Sequence, residues 1–232
     1  MVRRRSADRP GRRPAARFSD RALTEAGLAP PLAAPAAKPG QILLIACGAL
    51  AREILSLRQA NGWHHLDLTC LPAILHNHPA RIAEAVESAV RAYRGDYDQI
   101  YVGYADCGTG GGLRATCDRL GVEMIPGPHC YAFFEGNARF ADREEATAFY
   151  LTDFLVRQFD AFVWRPLRLE DHPELRDLYF ANYTKLVYQA QTDDAGLTDK
   201  ARACASRLGL DFERRFTGYG ELETTLAGWT GP

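Results

Sequence analysis

Four of the six cysteines, Cys47, Cys70, Cys107 and Cys130, are separated by 22, 36 and 22 intervening residues, a spacing that suits one thiol per strand–helix repeat. Thiolate is the form that binds soft metal ions and attacks electrophiles, and a following helix N-terminus favours it over the thiol. Four converging thiolates would suit zinc or an iron–sulfur cluster, and three with an open position would suit a catalytic ion of zinc or iron. His76 and His129 are candidate further ligands: His76 follows Cys70 and His129 adjoins Cys130. Buried free cysteine also serves as a small hydrophobe, the reading expected for Cys117 and Cys204. No CxxC pair occurs, so zinc-ribbon and thioredoxin-like signatures are missing.

Two other features bear on chemistry. In Cys107-Gly-Thr-Gly-Gly-Gly-Leu-Arg114, the loop of Gly108, Gly110, Gly111 and Gly112 exposes backbone N–H groups that could cradle an anionic cofactor. Arg114 is the candidate clamp for its carboxylate or phosphate, or else a solvated helix residue. There is no Walker A lysine. Glu53 and His129 are the candidate acid–base residues. Pro72 and Pro79 bracket a segment that would carry His76 and Asn77 to the same rim, and Tyr183, Tyr188, Gln191 and Asp193 could close the pocket.

These residues need a scaffold that brings strand ends together. Gln41–Ala46 is a continuous apolar run, as in a strand buried on both faces of a parallel sheet. Further strands are expected at 66–69, 99–104 and 122–125, alternating with helical patterns; Ile82, Val86 and Val90 form one such stripe. This alternation predicts an α/β fold, a single domain with an open, mostly parallel sheet flanked by helices. Its strand carboxyl ends share the edge where ligands bind. The C-terminal third is expected to be mainly helical, with a capping box at Asp142–Glu145 opening a helix through Phe159, and helices over 172–189 and 197–208. A strand at 210–216 and a short helix at 221–226 would end the chain.

Composition sets outer bounds. Apolar residues make up 47 % and charged residues 25 %, a globular balance, with a net charge of −1 that points to neither nucleic acid nor membrane. Eight arginines crowd the first 21 residues. Residues 1–40 therefore read as a disordered Arg/Pro/Ala-rich leader whose removal to Lys38 would cost no core residue, with residues 41–228 the single domain. The apolar core of an export signal is missing, which together with six cysteines points to the reducing cytoplasm.

Cys47-Gly-Ala-Leu with Glu53, Leu71-Pro72 with Leu75-His76-Asn77 and Pro79, Gly103-Tyr-Ala-Asp-Cys-Gly108, and His129-Cys130-Tyr131 resemble the family labelled DUF1638 over roughly Gln41 to Gly220. The resemblance implies company with corrinoid-dependent methyl-transfer proteins, hence a metal or cofactor role in corrinoid or one-carbon methyl metabolism, and it assigns no residue a role. The leading expectation is a cytosolic metal-binding protein using Cys47, Cys70, Cys107 and Cys130 with His76 and His129. One alternative is a thiol enzyme with Cys47 or Cys107 as nucleophile and His129 or Glu53 as base. The other is a metal-free module that binds a small molecule on the Gly108–Gly112 loop.

Overall fold

The computed structural model describes residues 19–28 and 40–231. A short helix, α1 (Asp20–Glu25), leads into β1 (Ile42–Cys47), all six of whose residues are buried. Next come α2 (Ala51–Asn61), β2 (Leu66–Leu71), α3 (Ile82–Tyr93), β3 (Gln99–Gly103), α4 (Gly112–Leu120) and β4 (Glu123–Met124). The four strands form one parallel sheet in the order β2-β1-β3-β4. The chain leaves β1 for β2 on one side, then crosses back to place β3 on the other. That reversal opens a crevice beyond the carboxyl ends of β1 and β3, the usual ligand position in open α/β sheets.

The remainder builds a second sheet. It comprises α5 (Cys130–Glu135), α6 (Asn137–Asp142), β5 (Ala148–Thr152), α7 (Asp153–Arg157), α8 (Leu175–Tyr179), β6 (Lys185–Ala190), α9 (Ala195–Leu208), β7 (Asp211–Phe216) and α10 (Glu221–Thr230). Strands β5, β6 and β7 pair in that order, all parallel. The α/β class thus holds with two parallel sheets in place of one.

Two local expectations change. Residues 148–152 are strand, and the helix there begins at Asp153, capped by the Thr152 hydroxyl, which accepts from the Leu155 amide. The expected helix over 172–189 shrinks to Leu175–Tyr179 and gives way to β6, whose Leu186, Val187 and Tyr188 are fully buried. Aromatic and β-branched residues suit a strand buried on both faces, and helical spacing among them was a coincidence of composition. The helix α9 stands as expected, opened by the Asp194 carboxylate and closed by Gly209 at φ +71°.

Ten residues of the expected leader also belong to the fold. Leu23 is fully buried, and Leu28 exchanges backbone hydrogen bonds with Cys70 at 2.7 and 2.8 Å. Gly48 makes this docking feasible, because a Cβ there would lie 2.5 Å from the Leu23 carbonyl oxygen. Residues 1–18 and 29–39 of the arm lie outside those described. No helix among the described residues is long and apolar enough to cross a membrane.

Candidate thiol site

The strand ends carry the cysteines to different depths. Cys47 is the last residue of β1, and the Tyr104 hydroxyl, just past β3, lies beside it. Burial pushes the Cys47 thiol up to about 12, so it stays protonated at neutral pH. The Tyr104 hydroxyl is itself buried without a hydrogen-bond partner.

Beyond β3 the chain stays zipped to the segment after β4. The Asp106 amide donates to the Gly127 carbonyl at 3.0 Å and the Cys107 amide to the Pro128 carbonyl at 2.9 Å. Two residues after Pro128, Cys130 opens α5. This pairing brings the Cys107 and Cys130 sulfurs to 3.0 Å. The contact with the Cys130 sulfur holds Cys107 below the ordinary thiol range, against the upward push of burial. Cys130 is driven up in turn, first by Cys107 and then by its own burial. Of the two thiols, Cys107 is therefore the one that gives up its proton more readily.

Around the pair, His76, Gly108, His129 and Tyr131 complete a cavity of about 200 Å³. His76 stands at its rim, in the 3-10 turn Ala73–Asn77. Loss of surrounding water, and then nearby His129, lower its pKa from the ordinary value. Burial lowers His129 as well, partly offset by Asp106. Both rings are thus mainly neutral at pH 7, the state that accepts a proton or ligates a metal. His129 stacks on Tyr131 with ring centroids 4.9 Å apart. A smaller void of about 40 Å³ lies further in, bordered by Cys47, His76, Tyr104, Cys107 and Cys130 among apolar neighbours.

Other candidates are placed elsewhere. Cys70 lies within β2, opposite Ala46, whereas Cys47 lies opposite Leu71. Alternation along a strand therefore puts Cys70 and Cys47 on opposite faces of the sheet, and Cys70 borders neither cavity. Cys117 and Cys204 are buried core thiols, as expected. Glu53 is buried in α2 with Oε2 unpartnered; it borders neither cavity, and burial pushes it up to about 7.

The glycine loop is occupied from within. Asp106 accepts from the Gly111 amide at 2.7 Å, the Gly110 amide at 3.1 Å and the Thr109 hydroxyl at 2.8 Å. Those donors hold its carboxyl below the usual range although burial pushes it upward. Two of the N–H groups expected to cradle a ligand therefore serve a carboxylate of the chain, and Arg114 is exposed on α4 away from the cavities. The loop's work is to aim Cys107. Asp106 escaped sequence reading because any Asp before a glycine loop looks like an ordinary turn residue.

Of the residues expected to close the pocket, only Tyr183 approaches it, lining an adjoining groove. Tyr188, Gln191 and Thr192 instead satisfy the buried Asp153 carboxylate, Tyr188 at 2.8 Å, and Asp193 pairs with Arg214 at 2.7 Å.

The donors suit a soft metal ion in type: two adjacent thiols, a third thiol and an imidazole on one small void, and an unpartnered hydroxyl. In spacing, among the described residues no three His, Cys, Asp or Glu side chains are arranged to hold a single ion. A tetrahedral zinc at about 2.3 Å from each sulfur would need the pair roughly 3.8 Å apart, a small rotamer change from 3.0 Å.

No curated protein and no solved structure matches the chain. One family does, described as "Protein of unknown function (DUF1638)", and its match runs over residues 70–226, beginning at Cys70 and taking in Cys107, Cys130 and the whole second sheet. The chain therefore belongs to the DUF1638 family.

Proposed function

We propose that this chain is a thiol-dependent enzyme in which Cys107 is the nucleophile and Cys130 its hydrogen-bonding partner. The observation that supports this reading is the 3.0 Å contact between the two sulfurs on an open cavity. A thiolate held by a neighbouring thiol attacks an electrophilic atom through its free lone pair, and the S–H of Cys130 can protonate the group that gains charge. Neutral His129, on the same cavity, can accept a proton from that region. Glu53 borders neither cavity and is given no step.

Metal binding is the second reading, favoured by the small void that Cys47, His76, Cys107 and Cys130 share. Cys107 and Cys130 would be the first two ligands, with Cys47 or His76 completing the set and Cys70 outside it. Zinc, or iron in a cluster, would supply Lewis acidity or electron transfer there. A connection to corrinoid or one-carbon methyl metabolism, and to a corrinoid-related protein partner, belongs to this reading. Six free cysteines suit a reducing compartment such as the cytoplasm under either reading.

Alkylation by iodoacetamide, mapped to each cysteine across pH, tests the first reading. Cys107 should react fastest, with an apparent pKa below the ~8.5 of an ordinary thiol, and Cys130→Ala should move that value upward. Slow labelling of Cys107, together with stoichiometric zinc or iron that is lost in Cys107→Ser, would replace the first reading with the second.

A further inference from the structure

His76 and Tyr131 border more than the cavity at Cys107. They also border a second, larger space, a groove of about 330 Å³ between the 3-10 turn Ala73–Asn77, β5 and the segment 162–167. Its walls are aromatic and aliphatic: Phe149, Tyr150, Phe162 and Tyr183 with leucines and a valine, and no Asp, Glu, Lys or Arg. Tyr131 and Tyr150 stack with centroids 5.4 Å apart and planes 9° apart, and His129 extends that stack into the thiol cavity. Phe149 meets Tyr183 edge-on at 5.7 Å. Phe149, Tyr150, Tyr131 and Tyr183 are each only partly buried, so ring surface remains open to a ligand.

Glu145, the carboxylate that touches the lining through Tyr150, is already paired. The Tyr150 hydroxyl donates to Glu145 at 2.8 Å, and Glu145 is held by Lys185 at 2.8 Å and by Arg215 at 2.7 Å. A charged ligand would therefore lose its water in this groove without finding a counter-ion, whereas a flat apolar one would replace water on the ring faces. At its inner end, His76 and Asn77 supply the few polar groups that orient a ligand in a mostly apolar pocket.

We propose that this groove binds an uncharged aromatic substrate and presents its electrophilic end to Cys107 past His76 and Tyr131, the two residues that both spaces share. The inference names the substrate class of the thiol site proposed above and rests on that reading for the reacting atom, while the groove can be tested without it.

The probes are N-phenylmaleimide, N-ethylmaleimide and N-(4-carboxyphenyl)maleimide, with labelling mapped by peptide mass. Relative to glutathione, Cys107 should favour the phenyl over the ethyl reagent by on the order of tenfold, the factor expected from burying one ring. The carboxyphenyl reagent should lose that preference. N-Phenylsuccinimide, which cannot react, should protect Cys107 from iodoacetamide and give saturable calorimetric binding. Rapid labelling with no phenyl preference and no protection would overturn the groove and leave the thiol site standing. Slow labelling at Cys107 alongside saturable N-phenylsuccinimide binding would do the reverse. An equal preference for the carboxyphenyl reagent would overturn the claim that the substrate is uncharged.

Discussion

Cys107 holds a backbone conformation that L side chains seldom adopt, with φ at +50°. The left-handed region costs a side-chain-bearing residue about 1–2 kcal/mol, and glycine would avoid it. Glycines at positive φ surround it, at 108, 110 and 111, yet this position keeps its thiol. Strain retained beside a 3.0 Å sulfur contact is what a functional position would show. Asp106 supports the conformation, since its carboxylate gathers the amides of Gly110 and Gly111. Asp106→Ala should cost about 1–3 kcal/mol in urea unfolding near neutral pH, the range for losing charged hydrogen bonds. Its folded-state pKa is depressed, so this stability is present above the unfolded pKa of about 3.8 and is lost as pH falls through the folded value. Variant and wild type should converge in acid. An equal difference at pH 7 and in strong acid would show that the carboxylate charge is not what holds the loop.

Elements that look dispensable in sequence carry part of the core. The helix α1 has only six residues, too few to persist alone, and it survives through what it touches. Leu23 is fully buried, Leu28 pairs with Cys70, and Asp20 accepts ion pairs from Arg52 at 2.8 Å and Arg157 at 3.0 Å. Removing residues 1–18 should leave the thermal midpoint unchanged. Removing residues 1–28 should cost several kcal/mol, since loss of a buried leucine alone costs about 2–5. Matching midpoints for the two truncations would refute the packing role of α1. The register at β2 has a similar reach: one residue of phase separates Cys70 from the face that holds Cys47.

Across the whole molecule the two sheets meet near Cys47, where Thr152 at the end of β5 borders the same small void. Glu53 is one of the titratable groups buried in this region, and it senses Arg157 and Asp153 of α7 as well as Arg52. Its folded-state pKa, about 7, lies above the usual 4.5 because burial disfavours the charge. The folded state therefore binds the proton more tightly, so this group's contribution is greatest below pH 4.5 and declines as pH rises to about 7. The decline amounts to roughly 3 kcal/mol at most. Glu53→Gln, neutral at every pH, should flatten the loss of stability expected for the wild type between pH 5 and pH 8 in urea unfolding. Parallel curves for the two proteins would mean that Glu53 ionises without penalty.

The sequence by itself determined the first sheet's strands and helices, because a buried parallel strand reads as an unbroken apolar run and α3 as a clean 3.6-residue stripe. It also singled out Cys47, Cys107, Cys130, His76 and His129, all of which border one or both of two cavities with shared walls. Only the tertiary structure decided which thiols meet. Strand order put Cys47 and Cys107 at the crevice between β1 and β3, pleat phase turned Cys70 away, and the pairing of 106–107 with 127–128 joined Cys107 to Cys130. Of the second sheet only β7 was legible, the strand expected at 210–216 and found at Asp211–Phe216; β5 and β6 were not, for a related reason. Phe149, Tyr150, Phe154 and Phe159 fall at spacings that a helix would also produce. Long-range pairing, which no local pattern records, chose between the two.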